Sequence, residues 1–540
     1  MSKDNKKNTK KNIKKNTGKN TVNNTDKKSL LLGILFILTP AILSFVTMAV
    51  MWIVTGNVAL PGIKWNDEAA YIKLIETYSR HFSPVGYWGF NGNHALLGTG
   101  SAWSAAILLP YIIPAIVLPV GYSFVYICNI VYISGANAAF LFLVKPDDKK
   151  KIKLILAEVT SIVFILYLNT NMSEMFRYAL AILIAGFLYN MFFDKSPKWI
   201  KYIVAPLVIL YSVQVYTFFA FAIPIYVFAL LKDKKLWVRI FVAVVSMGFI
   251  SFISYGILHL ISSNYNIGKT EALLAYVESG QIFKAIKSFF RMIYDGLVGL
   301  FNLRLYIRTN GVYIFHVMIM LLIIVSSAMT FFSKTSEKKD KTLSLISIYS
   351  ICIFVFMYMT LYTIVPDTFL RGTEIPVIFS IYLLMLTSDR YFAWTIIFCN
   401  LTGMVFLPVN LKNFAKEERY YSREEIREWK QLEKEIAETI RIKESDDPWD
   451  NAILMYTMEP KAILAMPKGM GQNYAMDSDF YSSDAGYIFI PKFSHYRADW
   501  LESDYSHLMI GHDTNVEYYY DTVYDANGYV LFRKKYLADQ

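Results

Sequence analysis

Long apolar runs recur along the first three quarters of this sequence, and they restrict the chain to one class of protein. Runs of about 20 residues with few charged side chains match the thickness of the hydrocarbon core of a bilayer. Only 18% of the 540 residues are charged, against about 25% in an ordinary soluble domain, and the mean hydropathy is +0.35. The sequence therefore predicts an α-helical polytopic membrane protein and excludes a soluble globular one.

The apolar runs predict about eleven transmembrane spans. Their ranges are 29–54, 121–144, 152–169, 175–193, 199–212, 215–231, 236–261, 312–332, 342–365, 375–387 and 391–408. The first run is too long for the core of a signal peptide, and no small-residue cleavage site follows it. We therefore expect it to be retained as a span.

The positive charge of the chain is concentrated at one end. Ten lysines and two aspartates give residues 1–28 a charge of +8, out of +11 for the whole chain. Because no basic folded face remains, the charge does not predict a nucleic-acid partner. A lysine-rich tail beside a span predicts a disordered cytoplasmic N-terminus instead.

Lysine and arginine are enriched in alternate loops, which predicts the topology. The lysine-rich loops face the cytoplasm by the positive-inside rule, so an odd number of spans places the C-terminus outside. Counting 102–119 as a span would reverse this pattern, and its three prolines favour an interfacial helix pair. Two long external loops follow, 55–120 and 262–311, and the second contains an amphipathic helical pattern from Thr270 to Tyr294.

Near residue 410 the composition changes from apolar to charged. A capping box at Ser422–Glu425 opens a helical pattern that ends near Glu444. Short apolar runs then begin at four residues and predict strands: Ala452, Ala462, Gly486 and Gly528. We therefore divide the chain into a tail (1–28), a transmembrane module (29–409) and a small extracytoplasmic α/β domain (410–540).

Two adjacent acids, Asp67 and Glu68, follow the first span on the first external loop. Acids at the start of a helix also complement the helix dipole, so a purely structural role stays open. Their place near the membrane surface favours a functional role. A carboxylate there could bind a metal ion or accept a proton from a hydroxyl group.

This arrangement resembles the GT-C glycosyltransferases, integral membrane enzymes such as protein O-mannosyltransferases, lipid A aminoarabinose transferase and oligosaccharyltransferases. The shared features are the acidic pair, interfacial helices on the same loop, a second long external loop, about eleven spans and an outer C-terminal domain. The resemblance implies a hexosyl- or pentosyltransferase with a polyprenyl-phosphate sugar donor. It implies that Asp67, with Glu68 beside it, is a catalytic base or binds Mg²⁺ or Mn²⁺. No WWD-type motif follows in the C-terminal domain, which argues against an oligosaccharyltransferase.

Sugar transfer from a phosphate carrier also needs cations beside the leaving phosphate, where negative charge accumulates. Arg371 is the first candidate, because the GT-C family often carries an arginine near the corresponding late external loop, here 365–376. Arg177 and Glu174 at the outer end of the fourth span are the second. An arginine at a span end can also extend to the interface without binding a ligand.

Further candidates lie on the two long external loops: Arg291, Arg304 and Arg308 for phosphate, and His94 for the acceptor or a metal. His94 belongs to a glycine-rich turn, where the backbone can approach a ligand closely. Charged loop faces are often only solvated, so that alternative stays open for the arginines. His316 lies near the outer end of its span, where we expect a neighbouring helix to satisfy it.

The sequence thus predicts a multi-pass enzyme of the bacterial plasma membrane. Its expected partners are a polyprenyl-phosphate-linked sugar, a glycan or lipid-linked acceptor, and membrane lipid. A transporter or flippase for a lipid-linked sugar and a non-catalytic envelope protein that binds glycan remain as alternatives. The spans contain few ionisable groups, of which Glu158 is the clearest, and no internal repeat, which favours the transferase.

Overall fold

A computed structural model of the protein consists mainly of long helices, with a small mixed sheet near the C-terminal end. The residues that the structure describes are 4–55, 60–61, 66–81, 105–193, 197–261, 269–302, 311–362, 364, 366–388, 390–416, 420–421, 423–440, 442, 448–455, 457, 459–468, 470–474, 485–491, 509–510, 514–515 and 520–537.

The helices of the first half, in chain order, are α1 (Asp4–Thr55), α2 (Asn66–His81), α3 (Ala105–Ala115), α4 (Phe124–Val144), α5 (Asp148–Thr160), α6 (Ile162–Leu168), α7 (Glu174–Phe193), α8 (Ala205–Val215), α9 (Ala222–Leu230) and α10 (Leu236–Ile261). A π-helical turn precedes α8 and a 3-10 turn precedes α9, at Ile200–Val204 and Thr217–Phe221. The helices that follow are α11 (Lys269–Glu278), α12 (Ile282–Leu300), α13 (Val312–Phe332), α14 (Lys338–Leu361), α15 (Pro366–Leu384), α16 (Arg390–Gly403) and α17 (Leu407–Lys416).

Seven helices of the described chain are long and apolar enough to cross a membrane: Lys27–Ile53, Phe124–Val144, Glu174–Phe193, Leu236–Ile257, Val312–Phe332, Lys338–Leu361 and Phe392–Leu411. The polytopic helical class is therefore confirmed, whereas the count of eleven spans stays a prediction. The predicted span 152–169 is interrupted at Ser161, where the backbone is extended. The predicted span 375–387 belongs to α15, which begins earlier and carries charged residues in its first half.

Helix α7 occupies the centre of the bundle. In the most apolar stretch of α7, 83% of the residues are buried. The helix packs against α4, α8, α9 and α15. Helix α10 lies at the periphery. Only 6% of the residues in its most apolar stretch are buried, and phenylalanines such as Phe241 and Phe252 are exposed. Exposed aromatic and aliphatic side chains around a helix are typical of contact with lipid. The core of the bundle therefore surrounds α7.

Contacts between helix ends agree with the predicted sidedness. Lys151 Nζ donates a hydrogen bond to Ser29 Oγ over 2.7 Å, which joins the predicted cytoplasmic ends of α1 and α5. The Nζ atom of Lys339 lies 5.0 Å from the ring centre of Tyr189, near the end of α7 that is also predicted to be cytoplasmic. Lysines at this end of the bundle are what the positive-inside rule requires.

Three local predictions differ from the structure. Helix α1 begins at Asp4, so the tail predicted to be disordered continues the first span as helix, because a formed span supplies the helix nucleus. The expected interfacial helix pair at 102–119 is the single helix α3, which includes two of the prolines. The amphipathic stretch from Thr270 to Tyr294 forms two helices, because Gly280 (φ 70°) ends the first.

The C-terminal part contains helix α18 (Arg423–Thr439), helix α19 (Pro460–Ala465) and strands β3 (Ala452–Met455), β4 (Gly471–Tyr474), β5 (Tyr487–Pro491), β8 (Tyr520–Ala526) and β9 (Tyr529–Lys534). These strands form one sheet in the order β4-β3-β5-β9-β8, parallel at β4-β3-β5 and antiparallel from β5 onwards. Two short pairs complete the strands, β1 (Leu60–Pro61) with β2 (Tyr420–Tyr421) and β6 (Met509–Ile510) with β7 (Thr514–Asn515).

The predicted α/β character of this domain is confirmed, with one error. The run Ala462–Ala465 is helical rather than extended, because Pro460 in the first turn and the following helix formers favour a helix. The runs beginning at Ala452, Gly486 and Gly528 do form strands.

The domain rests on the first external loop, and two buried side chains of α2 make the contact. Lys73 Nζ donates to the carbonyl oxygen of Met466 over 2.8 Å and lies 3.2 Å from Glu76 Oε2. Glu76 Oε1 lies 3.4 Å from Lys468 Nζ. The pairing of β1 with β2 joins the same two regions. Helix α2, which carries Asp67 and Glu68, is therefore held between the bundle and the C-terminal domain.

Candidate active site

Five charged side chains meet where α2, α7 and α15 begin. They are Asp67 and Glu68 on α2, Glu174 and Arg177 on α7, and Arg371 on α15. All lie at ends of helices that the topology places on the outer face. The three carboxylates and two arginines leave one net negative charge on these side chains, which the partial positive charge at the beginnings of the helices offsets.

Arg371 connects α15 to the other two helices. Its Nη1 lies 3.2 Å from Glu174 Oε1 and 3.7 Å from Asp67 Oδ2. Its backbone carbonyl accepts a hydrogen bond of 2.9 Å from the Tyr178 hydroxyl of α7. The side chain is 14% exposed, so the guanidinium can be reached from one side while its partners hold it from the other.

Arg177 is buried beside the same carboxylate. Its Nη1 lies 3.5 Å from Glu174 Oε1, the oxygen that also faces Arg371. Its guanidinium carbon lies 4.3 Å from the ring centre of Tyr216, a cation–π contact. Arg177 thus points into the bundle and does not extend to the membrane interface. One carboxylate oxygen is shared by two guanidinium groups.

Glu68 is turned towards the loop between α6 and α7. The side chain is buried, and its Oε1 accepts a hydrogen bond of 2.8 Å from the backbone N–H of Asn171. That bond fixes the segment which leads into Glu174 and Arg177. Glu68 can therefore shape the site by positioning its neighbours, and its predicted catalytic role stays a prediction.

Tyr71 adds a proton-bearing hydroxyl to the cluster. Burial, together with the nearby carboxylates of Asp67 and Glu174, raises the pKa of Tyr71 well above its usual value. The hydroxyl therefore stays protonated at physiological pH and can donate a hydrogen bond. One helical turn separates Tyr71 from Asp67, a spacing that could have identified it from the sequence.

Several buried polar atoms around the cluster have no hydrogen-bond partner within the described part of the chain, among them Glu174 Oε2, Arg177 Nε and Asn171 Nδ2. Native proteins leave few such atoms unsatisfied, because each one costs free energy when it is removed from water. Their concentration beside two arginines indicates a site for a polar ligand.

The other predicted residues have different outcomes. Arg291 lies on α12, where its side chain is 80% exposed and its Nε is 3.7 Å from Asp295 Oδ2 of the same helix. His94, Arg304 and Arg308 lie outside the described residues. Within the described ranges, no group of three or more His, Cys, Asp or Glu side chains could hold a metal ion. A role for Asp67 as a Mg²⁺ or Mn²⁺ ligand therefore stays a prediction.

The segment that carries Arg371 was predicted to be a loop and is the first half of α15. Pro366 occupies the first helical position, where its missing N–H costs nothing, and Pro376 is accommodated inside the helix. As a result, Arg371 has a fixed direction towards α7.

A second polar group lies one helical turn along α15 from Arg371. His316 Nε2 is 2.7 Å from Thr373 Oγ1, and His316 Nδ1 is 3.3 Å from Glu374 Oε2. Ser161, at the interruption between α5 and α6, donates a 2.9 Å hydrogen bond to Glu374 Oε1. The expectation that a neighbouring helix satisfies His316 is met for Nε2, whereas Nδ1 has no hydrogen bond among the described residues. Glu158 forms a separate buried group with Asn137 and Tyr382.

Most of the chain is similar to several solved structures. ArnT from Cupriavidus metallidurans bound to undecaprenyl phosphate is 11% identical, with a TM-score of 0.49, and the similarity covers 92% of this chain and 97% of that one. An Archaeoglobus fulgidus oligosaccharyltransferase in complex with Zn and sulfate is 11% identical, with a TM-score of 0.44, over 84% of this chain and 68% of that one. Both are GT-C glycosyltransferases, the family that the sequence resembles.

A third structure is AglB from Archaeoglobus fulgidus in complex with an inhibitory peptide and a dolichol-phosphate. It is 10% identical, with a TM-score of 0.42, over 85% of this chain and 69% of that one. No protein-family model and no curated protein matches the sequence. We therefore argue the function from the residues of the site.

Proposed function

We propose that this protein is a membrane glycosyltransferase. It transfers a hexose or pentose from a polyprenyl-phosphate carrier to a hydroxyl group of a cell-surface glycan or lipid-linked acceptor, at the outer face of the bacterial plasma membrane. The observation that carries the proposal is the contact of Arg371 with both Asp67 and Glu174, next to Arg177. Two arginines and a partly exposed carboxylate at one point supply a phosphate site and a base.

Asp67 is the proposed base. Its side chain is 13% exposed, so an acceptor hydroxyl can approach one of its oxygens. The acceptor oxygen attacks the anomeric carbon, the bond from that carbon to the phosphate oxygen breaks, and its electron pair stays on the phosphate. The acceptor proton passes to Asp67. In the other form of the proposal, Asp67 would hold Mg²⁺ or Mn²⁺, and such an ion would supply positive charge beside the donor phosphate.

Arg371 and Arg177 are the proposed phosphate ligands. Negative charge on the phosphate grows as the glycosidic bond breaks, and guanidinium groups stabilise it most when they are already oriented and desolvated. The Tyr216 ring fixes Arg177, and the fold of α15 fixes Arg371. Holding donor and acceptor at one point also removes the entropic cost of a two-substrate reaction.

A transporter for a lipid-linked sugar is the second candidate, and one observation favours it. The bundle interior contains the groups around Glu374 and Glu158, and a helix interrupted at Ser161. Buried acids and broken helices are typical of transport pathways. A protein that only binds envelope glycan is the third candidate.

Reconstitution into liposomes distinguishes these classes. Purified protein would receive polyprenyl-phosphate hexose or pentose carrying a radiolabel in the sugar, together with extracted cell-surface and lipid-linked glycans. A transferase releases free polyprenyl phosphate and transfers label to the glycan. Movement of intact labelled lipid between leaflets without bond breakage would support the transporter. Glycan binding with neither change would support the binding protein.

A further inference from the structure

Glu174 occupies an unusual place for a carboxylate in a site that is proposed to bind phosphate. Its Oε1 lies between the two guanidinium groups, 3.2 Å from Arg371 Nη1 and 3.5 Å from Arg177 Nη1. Its side chain is 4% exposed, and its Oε2 has no hydrogen-bond partner among the described residues. The Glu174 carboxylate therefore already bridges the two guanidinium groups.

The charges of these three groups have a direct consequence. Two guanidinium groups and one carboxylate carry a single net positive charge. A polyprenyl-phosphate sugar is a phosphodiester with one negative charge. The polyprenyl phosphate that remains after transfer is a monoester, and it carries close to two negative charges above its second ionisation near pH 6. Asp67, which lies 3.7 Å from Arg371, cancels this single positive charge. The second negative charge of the monoester therefore meets no surplus cation, and it is opposed by the carboxylate of Glu174.

We propose that Glu174 makes this site selective for the phosphodiester donor over the phosphate monoester product, which rests on the proposed function. The carboxylate competes with the second negative charge of the monoester for the same two arginines. It thereby weakens product binding more than donor binding and promotes product release. Specificity of this kind comes from a repulsive element in the site as much as from an attractive one.

Burial makes this competition strong. Water screens charges poorly where side chains are nearly inaccessible, so a carboxylate and a second phosphate charge repel each other more than they would on a surface. Truncating or neutralising one member of a buried charge pair alters affinity by large factors for the same reason. Replacing Glu174 with glutamine keeps the size and one acceptor oxygen while removing the charge.

The test uses two ligands that share the same farnesyl tail and differ only in the phosphate group. Binding of farnesyl phosphate, a monoester, and farnesyl methyl phosphate, a diester, is measured by calorimetry with the full-length protein in detergent. At about pH 8, Glu174→Gln is expected to bind the monoester about tenfold more tightly while affinity for the diester changes less than about threefold. At about pH 5.5, where the monoester holds a second proton, the difference between the ligands should shrink. Asp233→Asn, in an exposed turn, is the matched control and should change neither affinity.

Equal tightening for both ligands, no tightening, or weaker monoester binding would each overturn the proposal. Glu174→Asp keeps the charge and should keep the preference of the wild type. The wild-type protein gives a test that needs no variant: at about pH 8 it should bind the diester at least as tightly as the monoester, and a clear monoester preference overturns the proposal. Sugar transfer without this selectivity contradicts only the role of Glu174. Selectivity without any transfer contradicts the proposed transferase.

Discussion

The guanidinium of Arg371 and the carboxylate of Asp67 form an ion pair, with 3.7 Å between Nη1 and Oδ2. The proposed phosphate ligand and the proposed base are therefore in contact before any substrate binds. A donor phosphate that takes over Arg371 would release Asp67 from this pair. We expect donor binding to free Asp67 for the acceptor hydroxyl. Without donor, the ion pair with Arg371 would suppress proton transfer to Asp67.

Arg371→Lys and Arg371→Gln test the phosphate ligand. The lysine retains the charge and loses the planar fork, whereas glutamine loses the charge. We expect glutamine to lower kcat by about 100-fold or more and lysine by a smaller factor, since charge stabilisation of the leaving phosphate is the main loss. Steady-state release of polyprenyl phosphate measures kcat for both variants. Equal activity of the glutamine variant and the wild type would remove Arg371 from the mechanism.

Glu68→Ala tests a positioning role. The backbone N–H of Asn171 would lose its buried acceptor, which costs about 1–3 kcal/mol in stability. Glu68→Gln retains an acceptor oxygen and should unfold at a temperature closer to that of the wild type. Thermal unfolding in detergent, with transfer activity measured on the same samples, compares the two. If Glu68→Gln is fully stable and inactive, the carboxylate charge itself takes part in catalysis, and positioning does not explain it.

Gly296→Ala tests the docking of α12 on α14. A Cβ at this position would lie 2.6 Å from Met359 Cβ and 3.1 Å from the Met359 carbonyl oxygen, so the helices would have to move apart. Such overpacking costs about 1–3 kcal/mol. Gly248→Ala in α10 is the control, because no atom lies within 4 Å of its added Cβ. Gly296→Ala should unfold at a lower temperature than Gly248→Ala. Equal unfolding midpoints for the two variants would contradict the close approach of α12 to α14.

Glu76→Gln tests the attachment of the C-terminal domain to α2. Glu76 lies 3.2 Å from Lys73 and 3.4 Å from Lys468, and the Lys73–Glu76 pair is buried. Loss of its charge leaves Lys73 buried without a carboxylate, which costs roughly 3 kcal/mol. We expect faster proteolysis between the bundle and the domain. The exposed Lys434–Glu438 pair provides the control, Glu438→Gln, which should behave like the wild type. Unchanged proteolysis of Glu76→Gln would mean that other contacts hold the domain.

Hydropathy and loop charge predicted much of the fold, because long spans and lysine-rich loops are imposed by the bilayer itself. The interruption at Ser161 was missed, since apolar residues continue on both sides of the short polar stretch from Glu158 to Ser161. The hairpin of β8 and β9 turns at Asn527 and Gly528, both with positive φ. That Asn-Gly pair was a usable signal for the strand before it.

The candidate site was predictable one residue at a time and not as an arrangement. Asp67 and Arg371 could be selected as charges on external loops, and Glu174 and Arg177 as charges at the outer end of a span. Their distances depend on how α2, α7 and α15 pack, which no local pattern encodes. Tyr216 gave no signal, because an aromatic residue at a helix end usually serves packing or the membrane interface.

The most direct test of the proposed transferase is the release of polyprenyl phosphate by Asp67→Asn in proteoliposomes with donor and acceptor glycans. Asparagine has the same size and cannot accept the acceptor proton. The proposal predicts that transfer is abolished while the variant unfolds at the wild-type temperature and still binds farnesyl methyl phosphate. Asp233→Asn should transfer at the wild-type rate. Full transfer by Asp67→Asn would contradict the assignment of the base.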